Sequence, residues 1–492
     1  MDDKEQGLDT RYVEEVSSRD SLSPSKTRSE EETRAIEKRI ARKFDKRVLP
    51  CGVLIYLVAF IDRSNMGNAR LLGLEEDLDL VGNRFNIALT AFFCTYIVFE
   101  VPCNMMCKKL GSRWWLGILT TGFGLMTMCL AFVQSYHSLI AVRALLGIFE
   151  AGVLPGIVYT FSQFYRRHEI ASRLGVQSST ASLAGSFGGL LAIGLSSIPA
   201  HGMLHSWRYI FLIEGIISML VGFFVFATLP STPAEAKFLT EEEREVACAR
   251  IIEEHMTKVE DPFSLDVFKK AVFHIPAQLI GLGLICSLLN MNSIAIFMPT
   301  LLSSMNFGRI ESQLLTVPPY ILSATVCVCT AILSDRIKRR GIILCVLAPL
   351  IVVGFAILAG TNIQGVKYFG IFLATSGAFS VSPLLLTWSV DNAAGPSVRA
   401  IVSAYTVGLG NFGSLIATWT FVHADAPRFL KGVYINLGFA SLLVVTIITL
   451  TLYLSFENKK RNQGRRDSRI DNLSQHEIDL LGHRHPNFRF TV

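Results

Sequence analysis

The apolar residues of this 492-residue chain are gathered into long blocks, and that distribution limits the fold more than any other feature. Residues 437–454 contain no charged side chain, and 210–229 contain one, Glu214. A helix needs about 20 mostly apolar residues to cross roughly 30 Å of hydrocarbon, so blocks of this length read as membrane spans. Charged residues make up 17% of the chain, against about 25% in soluble globular proteins, and the deficit lies within the blocks. Residues 1–47 are polar, with no apolar core ahead of a small-residue cleavage site. The first span is therefore expected to act as its own insertion signal.

Counting blocks between charged or Gly/Pro-rich breaks places spans near residues 56, 95, 122, 151, 185, 219, 287, 323, 350, 377, 409 and 444. The expected fold is an all-α integral membrane protein of twelve transmembrane helices in two six-helix halves. Basic residues cluster before span 1 (Arg42, Lys43, Lys46, Arg47) and between spans 2 and 3 (Lys108, Lys109, Arg113). They recur between spans 4 and 5 (Arg166, Arg167, Arg173), between 8 and 9 (Arg336, Lys338, Arg339, Arg340) and after span 12 (Lys459, Lys460, Arg461). By the positive-inside rule both termini are expected in the cytoplasm, and the plasma membrane is the expected location. The expected divisions are a disordered N-terminal tail over 1–46, a first half over 47–229, a linker over 230–272, a second half over 273–456 and a C-terminal tail over 457–492. Within the linker, Thr240 and Glu243 have the spacing of a capping box and open a charged, helix-forming run.

The ten cysteines are scattered, mostly inside apolar blocks, and read as reduced packing residues. There is no phosphate-binding loop, no His-Glu-x-x-His pair and no zinc spacing, so nucleotide hydrolysis and metalloenzyme chemistry have no support. The net charge of +6 follows from membrane orientation, and no nucleic-acid partner is expected.

Charges inside spans cost roughly 2.5–3.5 kcal/mol each on insertion scales, so they face partners or a water-filled path. Asp62 and Arg63 close the apolar run of span 1, Glu100 lies in span 2, Arg143 and Glu150 in span 4, and Glu214 in span 6. Arg143 and Glu150 are seven residues apart, two helical turns along nearly one face. Gln177, Asn290, Asn292 and Asn411 add amides at membrane depth, each open to a helix-to-helix hydrogen bond as well as to a ligand. Tyr56, Tyr96, Tyr159 and Trp388 read either as ring-stacking or as packing residues.

The six-plus-six plan and the segment LSDRIKRRG at 333–341 resemble the major facilitator superfamily, whose loops between helices 2 and 3 and between 8 and 9 carry an Asp-Arg and basic signature. The equivalent first-half segment, 102–114, has Asn104 where many members have aspartate. More narrowly, Asp62-Arg63-Ser64-Asn65 with Asn68-Ala69, and RALLGIFEAGVLPG at 143–156, resemble the anion:cation symporter family, in particular its fungal allantoate and nicotinate permease branch.

This resemblance implies that Arg63 pairs with a substrate carboxylate while Asp62 and Glu150 exchange protons; Asn65 of the same motif, and Gln177, Asn290 and Asn411 as amides at membrane depth, are expected as further substrate contacts. It also implies that Arg143 interacts with the helix 4 acid Glu150, and that Asp335 and Arg336 serve as a gating charge pair. The chemistry suits these roles: guanidinium stays charged and binds carboxylate bidentately, whereas a partly buried carboxyl can titrate near neutrality. The expected function is proton-coupled uptake of a small organic anion, a monocarboxylate or vitamin-like compound such as nicotinate, by a monomer in the bilayer. Protons are the coupling ion, and no cofactor is expected. The alternatives are a metabolite exporter driven by proton antiport and a nutrient sensor that does not turn over.

Overall fold

The computed structural model describes residues 30–196, 198–199, 202, 204, 206–256, 269, 271–393, 396–469 and 485–492. Among the described residues, twelve long helices form the membrane body. The first half holds α1 (Glu30–Ala69), α2 (Arg84–Leu110), α3 (Ser112–Leu130), α4 (Tyr136–Phe164), α5 (Arg167–Ser196) and α6 (Trp207–Thr228). The second holds α7 (Ile275–Ser303), α8 (Arg309–Ile337), α9 (Arg340–Gly360), α10 (Gln364–Asp391), α11 (Pro396–Ala417) and α12 (Leu430–Asn462). Every expected span centre falls inside one of them. Among the described residues nine are long and apolar enough to cross a bilayer by length and composition alone. The other three are α1, which carries Asp62 and Arg63 after a basic approach, α3, and the shorter α11. Large apolar side chains such as Leu220, Phe223, Val346, Val445 and Leu452 stand more than half exposed on the outside of the bundle. In water such a belt would be an aggregation surface; in hydrocarbon it is the lipid-facing one.

The packing plan repeats after six helices. In the first half α1 packs on α5, α2 on α4 and α3 on α6; in the second α7 packs on α11, α8 on α10 and α9 on α12. The halves meet through α1 and α7, and through the pairs α2–α11 and α5–α8, which the same six-helix offset interchanges. Two related bundles joined this way have a two-fold axis between them.

Small residues set the closest approaches. Gly147 of α4 lies against the Phe92 carbonyl and the Thr95 hydroxyl of α2, where a methyl group would collide. Thr95 Oγ1 in turn donates to the Ala144 carbonyl at 2.8 Å. Gly67 lies against the Ile296 carbonyl across the seam between the halves. Backbones that approach this closely gain dispersion and dipolar contact, which is what associates helices in lipid. α4 is broken at Gly152, because the Pro155 ring, four residues after Ala151, has no N–H for the Ala151 carbonyl.

Polar contacts across the seam lie away from the termini. Asn86 Nδ2 donates to the Thr418 carbonyl at 2.5 Å, and Trp419 Nε1 to Thr90 Oγ1 at 2.9 Å. Ser186 Oγ donates to the Val317 carbonyl at 3.4 Å. With an even number of spans these residues belong to the face opposite the termini, which is therefore the closed one.

The ends differ from the expected tails. Residues 30–46 are helical and continuous with α1, because Ile40, Phe44 and Val48 recur at helical spacing and bury against α4 and the linker. The expected disordered tail over 1–46 is thus corrected for residues 30–46, and residues 1–29 lie outside the described residues. The linker helix, Glu241–Met256, opens on the expected capping box: the Thr240 N–H donates to Glu243 Oε2 and the Glu243 N–H to Thr240 Oγ1, at 2.9 and 3.3 Å. It docks on the first half, where Lys43 Nζ meets Glu243 Oε2 at 2.5 Å and Arg250 donates to the Phe164 carbonyl at 2.6 Å. Burial works against the charged form of Glu243, but the Lys43 ammonium and the Thr240 N–H outweigh it and hold its carboxyl below the usual range.

At the other end α12 runs six residues past the expected boundary at 456, and residues 485–492 pack on the second half. Thr491 and Asn392 exchange hydrogen bonds at 2.9 and 3.2 Å, and Phe490 and Asn458 at 2.9 and 2.8 Å. Trp388 Nε1 donates to the Thr491 carbonyl at 2.8 Å, which places this ring at the termini side of α10 as a structural anchor. Residues 257–268 and 470–484, including His483, lie outside the described residues.

Candidate transport site

Two arginines and three carboxylates meet at the centre of the first half. α1 supplies Asp62 and Arg63, α4 supplies Arg143 and Glu150 two turns apart, and α6 supplies Glu214. The adjacent residues on α1 point to different partners, since consecutive positions on a helix are turned about 100° from each other. Arg63 Nε donates to Glu150 Oε1 at 2.5 Å. Arg143 NH1 donates to Asp62 Oδ2 at 3.2 Å, and Thr127 Oγ1 of α3 to Asp62 Oδ1 at 2.9 Å. The pairs are therefore crossed between α1 and α4. The expected pairing of Arg143 with Glu150 is corrected: both sit on α4, but each reaches to α1 for its hydrogen-bonded partner.

The two pairs differ in access. The side chains of Arg143 and Asp62 are 2% and 1% exposed, and that of Glu150 is 1% exposed, whereas Arg63 keeps 16%. Arg63 also lies among aromatic rings, 5.0 Å from the centre of Tyr96 and 5.7 Å from those of Phe60 and Phe92. Phe60 extends the group across the seam to Phe379 of α10, 6.2 Å away and edge-on, and Phe379 meets Tyr320 of α8 at 5.6 Å. A permanently charged guanidinium with electron-rich ring faces about it suits a planar anion: a carboxylate on the cation, a ring beside the aromatics.

The amides separate into those that join this cluster and those that do not. Asn65 Nδ2 donates to Glu214 Oε2 at 2.6 Å, and Asn68 Nδ2 to Asn65 Oδ1 at 3.2 Å. Asn411 Nδ2 crosses from the second half to Glu100 Oε2 at 2.8 Å, a hydrogen bond between α11 and α2. Gln177 is buried on α5, and neither of its amide atoms has a hydrogen-bond partner among the described residues. Asn290 bonds back to the Cys286 carbonyl of its own helix at 2.8 Å, and Asn292 joins α7 to α11 through Ser414 Oγ at 3.0 Å.

Residues 52–418 match the Major Facilitator Superfamily. The chain belongs to this superfamily. A facilitator of this kind is a membrane transporter and not an enzyme. An uncharacterised transporter of Schizosaccharomyces pombe is 34% identical to it, over 92% of this chain and 90% of that one. The high-affinity nicotinic acid transporter of Saccharomyces cerevisiae is 33% identical over 87% of this chain and 80% of its own length. Among solved structures, the D-xylose–proton symporter covers 81% of this facilitator and 96% of itself with a TM-score of 0.63 at 13% identity. A bacterial homologue of the human lysosomal transporter Spinster, inward-facing and unoccupied, covers 82% and 95% with a TM-score of 0.60 at 15% identity. Likeness at such identity speaks to the fold alone.

In this facilitator the signature loop between α8 and α9 is rearranged from the expected pairing. Asp335 faces Arg340 at 3.4 Å, and Arg340 Nε also binds Asp391 of α10 at 2.5 Å, while Arg336 is exposed. The reason is local: Lys338 adopts a left-handed conformation that ends α8, and the chain turns so that Arg340, at the start of α9, comes back over Asp335. Reading the sequence also leaves out Thr127, Phe60 and Phe92. A threonine or phenylalanine in an apolar span carries no signal until the helices are placed side by side.

Proposed function

We propose that this facilitator carries a small organic anion inward together with a proton, with both termini in the cytoplasm of a plasma-membrane protein. The observation that carries the reading is the Arg63–Glu150 pair, a reachable cation held by a sealed acid. A substrate carboxylate that takes Arg63 must displace Glu150. The freed carboxyl, nearly out of contact with solvent, is then far more stable protonated than charged. Glu150 Oε2 already has no hydrogen-bond partner among the described residues, so the acid keeps room for a proton. One anion and one proton thus replace one ion pair, and the net charge of the site is unchanged. A site of unchanged charge can close, cross and reopen without carrying an uncompensated ion through the low-dielectric middle of the membrane.

The aromatic surroundings of Arg63 favour a compact ring-bearing monocarboxylate. The Saccharomyces cerevisiae relative carries nicotinic acid, which makes nicotinate the first compound to try. With the termini in the cytoplasm, the seam contacts near Asn86, Thr418 and Gly67 would lie on the outward face, which supports reading this conformation as closed to the outside.

The test is uptake into reconstituted vesicles under an inward pH gradient, with a carboxylate panel headed by nicotinate. Arg63→Ala is expected to lower uptake at least about 100-fold, because it removes the substrate's partner and leaves Glu150 buried without a cation. Uncoupled uptake by active wild-type protein, or normal uptake by Arg63→Ala, would overturn the reading.

A further inference from the structure

The buried cluster contains one more acid than its arginines can serve, and this excess assigns a role to Glu214. Arg63 is engaged with Glu150 and Arg143 with Asp62, each a matched pair. Glu214 is 3% exposed and, among the described residues, has no cation within ion-pair distance. Its position is fixed by a close crossing: Gly215 of α6 and Gly124 of α3 pack backbone on backbone, which turns Glu214 towards α1. There its Oε2 accepts from Asn65 Nδ2 at 2.6 Å, while Oε1 has no partner among the described residues.

Arg143 shows the complementary excess. It spends one nitrogen on Asp62, and its Nε and NH2 have no acceptor among the described residues although the side chain is 2% exposed. Its guanidinium carbon lies 5.9 Å from the centre of the Phe211 ring, and Phe211 precedes Glu214 by three residues on α6, less than one turn away on the same face. A buried guanidinium with spare donors and a buried acid with a spare acceptor thus meet the same stretch of α6, and a turn of the planar fork is the motion that would bring them together.

We propose that Glu214 is a proton-carrying acid of the transport cycle and that Asp62 and Glu214 alternate as partners of Arg143. In the conformation seen, Asp62 is ionised on Arg143 and Glu214 is neutral on Asn65. A proton arriving at Asp62 neutralises it and frees Arg143, which turns to Glu214; the Glu214 O–H bond breaks and its proton leaves, giving ionised Glu214 on Arg143. One proton enters at α1 and one departs from α6, so proton count and charge balance. Of the other charged groups near Glu214, Glu150 of α4 is a like charge engaged with Arg63 and offers Glu214 no cation. α5 has no ionisable residue between 174 and 195, and α3 contributes only Cys129 beyond Arg113. Arg70, in the π-helical turn after α1, is paired with Glu75 at 2.9 Å. Arg208 at the start of α6 is bonded to the Ala131 and Val133 carbonyls at 2.8 Å each.

The inference rests on the proton-coupled reading, and its test is built to separate the two. Purified protein in lipid, without substrate, is examined by pH-difference infrared spectroscopy. The carbonyl stretch of a protonated carboxyl is expected in wild type, absent in Glu214→Gln, shifted in Glu214→Asp and retained in Glu150→Gln. In vesicles, a one-unit pH gradient supports about tenfold accumulation per coupled proton. Glu214→Gln, which mimics only the neutral acid, is expected to lose gradient-driven accumulation far more than it loses substrate-for-substrate exchange. If wild type couples to protons and Glu214→Gln couples equally well, or if the infrared band survives Glu214→Gln and is unshifted in Glu214→Asp, the proposal falls alone. If wild type shows no proton coupling, it falls together with the reading beneath it. Should Glu214→Gln fail to insert, the band shift in Glu214→Asp decides the matter.

Discussion

The two halves share one packing plan and differ in what they bury. In the first, helices at membrane depth are joined by ionised or ionisable groups: Asp62, Arg63, Arg143, Glu150 and Glu214. In the second, the equivalent places hold neutral groups. Ser287 and Ser382 share a hydrogen bond of 2.7 Å, Asn436 Nδ2 donates to Ser293 Oγ at 3.1 Å, and Ser293 pairs with Thr420 at 2.6 Å. Among the described residues, the charged ones buried in the second half, Arg340, Glu457 and Arg461, sit at its termini-side margin. Repetition of the fold therefore does not repeat the chemistry. A neutral hydrogen bond between spans is worth about 0.6 kcal/mol and up to about 1.7, while an unpaired buried charge costs several times more. One half can thus change its bonding with protonation while the other keeps its shape across the physiological pH range.

The largest effect that would break this contrast concerns the sealed pair. Asp62→Asn alone should reduce transport by about two to four orders of magnitude, equivalent to about 3–5 kcal/mol, since Arg143 loses its ionised α1 partner and can then be served only by a deprotonated Glu214. Replacing both partners, Asp62→Asn with Arg143→Gln, should recover folding stability, and a double-mutant cycle on thermal unfolding should give a coupling of about 1–3 kcal/mol. Additive losses would mean that the pair is not the unit it looks like.

A smaller effect is expected in the neutral half. Asn436→Ala should destabilise by about 1 kcal/mol and leave the pH profile of uptake unmoved, measured by thermal melting and by uptake across a pH series. A shifted profile would carry proton chemistry into the second half.

The smallest concerns the brace on the first half. Because the Glu243 carboxyl is held below its ordinary range when folded, its contribution is present above the unfolded value and is lost as the pH falls through the folded one. Glu243→Gln should lower stability by about 1 kcal/mol or less at neutral pH, given that Lys43 is a third exposed, and by nothing once the medium is acid enough to protonate the wild-type acid. Melting curves of the two proteins that converge towards low pH are the expected result.

Much of the fold is legible in the sequence because the bilayer imposes a length rule on each span. All twelve centres could be counted, and the motifs at 62–65 and 143–156 mark the helices that carry the buried charges. What could not be read was rotation. Spacing places Arg143 and Glu150 on one face of α4, but the crossing of the pairs depends on how α1 is turned against that face. Nor does a lone Glu214 in an apolar run announce Asn65 as its partner, since the contact follows from the Gly124–Gly215 crossing. Phe488, Phe490 and Thr491 fared similarly: in a polar stretch they look like tail, and only the groove beside Asn392 and Asn458 gives them a place.

That groove bears on the order in which the protein is made. The brace of the first half is encoded in mid-chain, so the ribosome has delivered everything α1 to α6 need, including Glu243 and Arg250, before α7 is synthesised. The second half waits longer. The hydrogen bonds that Asn392, Asn458 and Arg461 make to residues 485–492 can form only when those residues emerge, after every span has been translated. Nascent chains halted before residue 485 should therefore carry a finished first half beside a second half with an open groove, a distinction that limited proteolysis during synthesis would display.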